Sequence, residues 1–217
     1  MKKIKYPRTY HLSWSDGLSG DDKRILTLDV LKGNEVIVTE KLDGENTTMY
    51  NDGVHARSLD SKHHASRVWI KAKQGELGYQ IPPEYRICGE NMYAKHSIHY
   101  RFLTTYFYVF GIYMGDICLS WDDTVEFATL LGLETTPVLY RGPWDEQKIK
   151  ACWTENSFFS KDGEVDPQEG YVVRVASAFP YEKHSLYTAK FVREKHVQTS
   201  SHWMEEEVVP NLLTIQS

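Results

Sequence analysis

The stretch Val36-Ile37-Val38-Thr39-Glu40-Lys41-Leu42-Asp43-Gly44-Glu45 decides how the chain is read. Val36 to Thr39 are four β-branched residues in a row, which favours extended backbone. They read as a buried strand ending at Lys41, and the acidic Asp43-Gly44 pair then turns the chain tightly. A lysine there is either a solvated point charge or an amine held still so that it can attack something. On residue type alone the solvated charge is the ordinary outcome.

Outward from this stretch the pattern is of short strands and few helices. The opening, roughly 6 to 24, is irregular, punctuated by Pro7, Ser13, Ser15, Asp16, Gly17, Ser19 and Gly20. Thr47 to Tyr50 and Val54 to Leu59 flank Asn51-Asp52-Gly53, a hairpin signal. Ser66 to Gly75 reads as a helix that Pro82-Pro83 prevents from continuing. Tyr85 to Gly89, Tyr106 to Tyr113 and Ile117 to Leu119 read as strands, the last two joined through Gly115-Asp116. Ser120 with Asp123 resembles a capping box, and Gly132 stands where the helix should stop. A short strand at Val138 to Tyr140, a helix at Asp145 to Trp153, and strands at Tyr171 to Val175 and Tyr187 to Val192 complete the pattern. Strands joined mostly as hairpins point to an α+β fold with antiparallel sheets rather than a doubly wound parallel sheet. No repeat, low-complexity tract or linker interrupts the chain, so residues 1–217 read as a single domain.

The 217 residues are 41% hydrophobic and 13% aromatic, enough for a substantial core and against disorder. A formal net charge of -5 argues against a general nucleic-acid coat protein. It leaves room for a local basic groove, because the 25 lysines and arginines need only cluster on one face. Cys88, Cys118 and Cys152 are widely spaced and form no C-x-x-C, which argues against disulfides and cysteine-held zinc. The basic start leads into no apolar run, and no segment has the length of a membrane span, so a cytoplasmic protein is expected. The histidines, among them His63-His64, His96 and His99, lack a zinc-motif spacing; phosphate contact beside Lys62 and Lys95 is the other reading.

Taken singly, Glu90 could be a strand-end carboxylate, Glu169 a turn residue and Lys190 the outward member of a strand. Taken in order, Lys41-x-Asp43-Gly44, Arg57-Ser58, Gly89-Glu90, Phe110, Glu169-Gly170 and Lys190 form a set. That set resembles the covalent nucleotidyltransferases, and within them the ATP-dependent RNA ligases of small bacterial and phage type. Tyr6-Pro7-Arg8-Thr9-Tyr10-His11-Leu12, Tyr93 to Tyr100, and Lys190 to Arg193 with Ser201-His202-Trp203 and Val209-Pro210-Asn211 resemble the same group, without a role legible in the residues.

The resemblance implies a nucleotidyltransferase domain, an ATP-grasp-like ligase adenylation fold of mostly antiparallel sheets with flanking helices. The residues before Lys41 and after Arg193 are too few for a separate oligonucleotide-binding or C-terminal domain of ordinary size, so none is expected. It implies that the Lys41 amine attacks the α-phosphate of ATP to give lysyl-AMP, that the AMP passes to a 5′-phosphate end, and that a 3′-hydroxyl then displaces it. Glu90 would accept a hydrogen bond from the ribose hydroxyl, Arg57 would touch ribose or phosphate, Phe110 would stack on adenine, and Glu40 would reach the adenine edge through its backbone. Glu169 would hold Mg²⁺ or Mn²⁺. A nucleophilic lysine must be neutral, which from a free pKa of about 10.4 costs roughly 4 kcal/mol at about pH 7.4. Lys190, Arg193 and the metal beside Lys41 would lower that cost.

The pattern also departs from the family. Thr188 stands where a second basic residue is usual, Arg174 replaces a lysine, and Gly111 replaces an acid. The partners implied are RNA or RNA/DNA ends, in a nicked duplex or single strand, with end selection falling to the domain's own surface or to a protein partner. DNA ligation, GTP-dependent capping-type transfer, and an inactive protein that binds nucleic-acid ends are the competing readings.

Overall fold

The computed structural model describes residues 2–18, 20, 22–59, 63–161, 163–194 and 207–214. In chain order the strands are β1 (Tyr10–His11), β2 (Glu35–Lys41), β3 (Glu45–Tyr50), β4 (Gly53–Ala56), β5 (Tyr85–Asn91), β6 (Phe107–Met114), β7 (Ile117–Cys118), β8 (Glu134–Thr135), β9 (Val138–Pro143), β10 (Gly170–Val175), β11 (Phe179–Pro180) and β12 (Thr188–Val192). The α-helices are α1 (Asp29–Lys32), α2 (Val68–Leu77), α3 (Trp121–Leu130), α4 (Glu146–Ala151) and α5 (His184–Tyr187). One sheet runs β1-β12-β10-β2-β9; the other runs β11-β7-β6-β5-β3-β4, with β8 beside β6. Among the described strand pairs only β1–β12 and β6–β8 are parallel, so the expected antiparallel α+β architecture is present.

β2 lies between β10 and β9, and its residues Val36 to Glu40 are all buried. A strand covered on both faces has no need to alternate apolar with polar, which is why Val36 to Thr39 read as an unbroken run. Alternation still decides what each residue meets. Val36 and Val38 enter the main core with Leu31, Tyr171 and Val173. Thr39 and Lys41 line a cavity instead. β2 belongs to one sheet and β3 to the other, so the Leu42-Asp43-Gly44 turn is where the chain passes between them. Gly44 is required there by space: a Cβ would stand 2.6 Å from the Asn91 carbonyl oxygen and from the Met92 sulfur.

The hairpin at Asn51-Asp52-Gly53 forms as expected, although β4 ends at Ala56, leaving Arg57 to Leu59 beyond the strand. β5 runs through Glu90 to Asn91 rather than stopping at Gly89. Ser120 caps α3 through its Oγ, which accepts from the Asp123 N–H, and Gly132 follows the helix at φ +65°. The expected strand from Tyr187 begins one residue later, because Tyr187 closes α5.

Two segments without a legible role pack on each other. Asn211 is fully buried; its Oδ1 accepts from the Tyr100 N–H at 2.8 Å and its Nδ2 donates to the Met92 carbonyl at 2.8 Å. The Tyr93 to Tyr100 segment is tied in turn to the lysine turn: Asp43 Oδ2 accepts from the N–H groups of Ser97 and Ile98, each at 2.8 Å. His99 Nε2 lies 3.1 Å from the Pro210 carbonyl oxygen, and His64 caps the turn before α2, so both act within the fold. Ser201-His202-Trp203 and Lys62 lie outside the described residues. Replacing Asn211 with alanine strands a buried N–H and a buried carbonyl, and the expected loss is about 2–4 kcal/mol in denaturant unfolding.

Candidate active site

Three neighbouring strands each send every second residue into one cavity of about 310 Å³: Thr39 and Lys41 from β2, Val172 and Arg174 from β10, Thr188 and Lys190 from β12. The intervening residues, among them Tyr171, Val173, Ala189 and Phe191, face the apolar core, as the two-residue period of a strand requires. The other sheet supplies the opposite wall with Asn46, Glu90 and Phe110, and Arg57 follows β4. The cavity thus lies between the sheets, beside the turn that links them.

Lys41 Nζ donates to Glu169 Oε2 at 2.6 Å. Their nearness is set by register, since Lys41 pairs across the β2–β10 ladder with Gly170, directly after Glu169. A Cβ on Gly170 would stand 2.0 Å from the Phe191 carbonyl oxygen, so only glycine lets β12 pass this close. Burial alone would pull the Lys41 amine down. The carboxylates of Glu169, Glu90 and Asp43 outweigh it and hold the amine above the ordinary lysine range. Glu169 is pushed up to about 7, first by burial, with Lys41 opposing the rise. Glu90 is pushed up to about 8 for the same reason, with the Glu169 and Asp43 charges adding to the rise.

This corrects the expected electrostatics. Lys190 does stand in the cavity, but carboxylates rather than cations dominate around Lys41. Burial and the charge of Lys41 pull Lys190 itself below its ordinary value. Arg193 is set apart from the cavity lining: its backbone N–H donates to the Glu169 carbonyl at 3.1 Å, and among the described residues its buried Nε has no hydrogen-bond partner.

Glu40 also borders the cavity, but its carboxylate turns away from Lys41, and its Oε2 accepts from the Phe158 N–H at 2.8 Å. Burial pushes its carboxyl up to about 7. Asp43 is spent on the Ser97 and Ile98 N–H groups and Gly44 on close packing, so both shape the turn. Phe110 meets Tyr6 edge-on, with ring centroids 5.0 Å apart. Arg174 lies over Phe179 and donates from Nη2 to the Leu119 carbonyl at 2.7 Å. Thr188 is buried on the cavity wall, and its Oγ1 has no hydrogen-bond partner among the described residues.

Several wall residues had no role legible in the sequence. Tyr6 to Thr9 line the cavity. Thr9 Oγ1 lies 3.1 Å from Nε2 of the buried His184, whose Nδ1 is 3.2 Å from the Tyr113 hydroxyl. Burial and Arg174 hold His184 down to about 3, so the ring is neutral at pH 7. Asp22 joins the wall beside Lys190.

A divalent cation fits this donor set. The buried Glu169 and the half-buried Glu90 both act on Lys41, and these donors are all oxygen. Among the described residues no group of three or more His, Cys, Asp or Glu could hold a metal by itself. A cation would therefore need water or phosphate oxygens as further ligands, which is the habit of Mg²⁺.

The two-sheet architecture is that of the nucleotidyltransferase-type ligases. A Naegleria gruberi RNA ligase mutant solved with ATP and Mn superposes with TM-score 0.53 at 17% identity, covering 81% of this chain and 56% of that one. An apo mutant of a Naegleria gruberi RNA ligase gives TM-score 0.55 at 18% identity, covering 87% and 57%. A candidate ATP-dependent DNA ligase of Aquifex aeolicus gives 0.51 at 19%, covering 87% and 50%. The chain thus spans only 50% to 57% of the length of these solved relatives. No curated protein matches it. The family model described as RNA ligase matches residues 34–192, and the chain belongs to the RNA ligase family.

Proposed function

We propose that this protein is an ATP-dependent RNA ligase that works through covalent AMP on Lys41, with residues 1–217 acting as its adenylation domain. The observation that carries the reading is the Lys41 amine, ion-paired to Glu169 at 2.6 Å in a cavity shared with Arg57, Glu90, Phe110 and Lys190. Its amine, once deprotonated, attacks the α-phosphorus of ATP; the N–P bond forms as the bond to pyrophosphate breaks. A 5′-phosphate oxygen then attacks the same phosphorus and frees Lys41. Attack by a 3′-hydroxyl on the activated 5′-phosphate finally makes the phosphodiester and expels AMP.

Each wall residue has a matching task. Glu90 accepts from a ribose hydroxyl, Arg57 and Lys190 meet phosphate oxygens, and Phe110 offers its ring to adenine. The Glu40 backbone, rather than its inward-turned carboxylate, lies at the base edge. Glu169 would hold Mg²⁺ or Mn²⁺, which supplies positive charge against the phosphates and against the proton on Lys41. The substrates on this reading are RNA or RNA/DNA ends. A reducing cytoplasm suits the free, buried Cys88, Cys118 and Cys152, and among the described residues no helix is long and apolar enough to cross a membrane.

The test is direct. Protein incubated with labelled ATP or GTP and a divalent metal should retain label from ATP after denaturation. Folded protein that takes label from neither nucleotide would leave only an end-binding role, and label from GTP alone would favour capping-type transfer. Nicked duplexes with RNA or DNA on each side then separate RNA from DNA ligation. Phe110→Ala should raise the KM for ATP by roughly five- to hundredfold, the size of a lost base–aromatic stack. An unchanged KM would remove the ring from the base site.

A further inference from the structure

The cavity cations have an unequal set of counter-ions. Lys41 faces Glu169 and Glu90. Lys190 faces Asp22, whose Oδ1 lies 3.7 Å from Nζ. Asp22 comes from the irregular segment after β1, and it places a negative charge on the wall where Lys41, Arg57 and Lys190 converge. Those three cations mark where the phosphates of a nucleotide would sit, and Asp22 competes with phosphate for one of them.

The same carboxylate has a second partner within reach. Asp22 Oδ2 lies 3.2 Å from Nε2 of His11, which is buried, but the pair lacks hydrogen-bond alignment, and Nε2 has no hydrogen bond among the described residues. On the other side of the ring, His11 Nδ1 is 2.7 Å from Ser15 Oγ. Ser15 Oγ accepts from the Val192 N–H at 2.9 Å, and of the two acceptors within reach of its own proton, His11 Nδ1 at 2.7 Å is nearer than the Val192 carbonyl at 3.4 Å. A neutral imidazole accepting at Nδ1 carries its proton on Nε2, so an unsatisfied N–H points beside Asp22. The backbone on either side is fixed: the His11 N–H donates to the Lys23 carbonyl at 2.8 Å, and the Ile25 N–H donates to the His11 carbonyl at 2.8 Å. A turn of the Asp22 side chain is enough to complete the bond.

We propose that Asp22 is a two-position counter-ion, paired with Lys190 while the cavity lacks nucleotide and turned onto the His11 Nε2–H when nucleotide phosphate takes Lys190. The inference rests on the nucleotide-transfer reading of the cavity. Asp22 then sets the affinity for nucleotide, since the fraction of protein with Lys190 released scales the apparent affinity. It is a positioning residue, acting through Lys190 and His11.

The experiment measures calorimetric Kd values for α,β-methylene-ATP with Mg²⁺, an analogue that cannot transfer AMP. Asp22→Asn keeps the shape and removes the charge, and it should tighten binding by about three- to tenfold. In a Lys190→Ala background the same change should move Kd by less than about twofold, because the competitor has lost its cation. An unchanged or weaker affinity for Asp22→Asn overturns the proposal. So does an equal gain in both backgrounds, which would mean general repulsion of phosphate rather than capture of Lys190. Melting curves establish folding, and Asp22→Ser serves the same comparison if the asparagine variant does not fold. Covalent label from ATP on the wild-type protein with no Kd change in the variant sinks this inference alone. Absence of that label sinks the nucleotide-transfer reading beneath it.

Discussion

Lys41→Ala is expected to abolish label transfer from ATP while leaving the protein folded at mildly acidic pH. The loss of label follows from chemistry: alanine has no nucleophile, and Lys190, paired with Asp22, belongs to a different strand. A persistent adduct in the variant would move the nucleophile elsewhere. The stability effect follows from the two carboxylates left behind. Glu169 and Glu90 sit at about 7 and about 8 even with Lys41 opposing the rise, so without its charge both move higher. A carboxyl with a folded pKa above its unfolded value favours folding in its protonated form. That contribution is present below the unfolded value of about 4.5 and is lost as pH rises through the folded one. The variant should therefore lose melting temperature between pH 5 and pH 8 more steeply than the wild type. Lys41→Arg should restore much of the pH tolerance without restoring the adduct, because a guanidinium keeps the charge and is no nucleophile at this pH. Parallel melting curves for the variant and wild type across that range would mean that the carboxylates do not depend on Lys41.

The strand and turn around Lys41 were legible because their causes are local. Four β-branched residues and an Asp-Gly pair act over a few positions, and β2 and its turn stand where they were read. Glu90 and Glu169 were legible only as members of an ordered set, since neither has a local pattern of its own. The sign of the electrostatics was not legible. The direction in which Lys41 shifts depends on β2 meeting the start of β10 and the end of β5, contacts that no sequence period encodes. The same holds for the buried Glu45–Arg67 ion pair, for the Thr9–His184 contact across 175 positions, and for Asp22 beside Lys190. Tyr187 shows the opposite failure: its aromatic ring suits a strand, but packing against Phe179, with ring centroids 5.2 Å apart, keeps it in α5.

Glu169→Gln tests whether that carboxylate serves the metal or only the lysine, because the two roles predict opposite signs. As a counter-ion alone, Glu169 is the chief influence holding Lys41 above the ordinary lysine range, so its loss should free the amine. Adduct formation would then be unchanged or faster, with its pH dependence shifted toward acid. As a metal holder, Glu169 supplies charge stabilisation at the phosphates, and losing such a group costs on the order of a hundred- to a thousandfold in rate. The expected result is the second: a deep loss at low Mg²⁺, partly recovered when Mg²⁺ or Mn²⁺ is raised. The acid shift should still show in whatever activity remains, since the Lys41 partner has gone in either case. A normal rate at low Mg²⁺ would reduce Glu169 to a counter-ion. The metal would then have to depend on Glu90 and the nucleotide's own phosphates, the other oxygen donors that face the same amine.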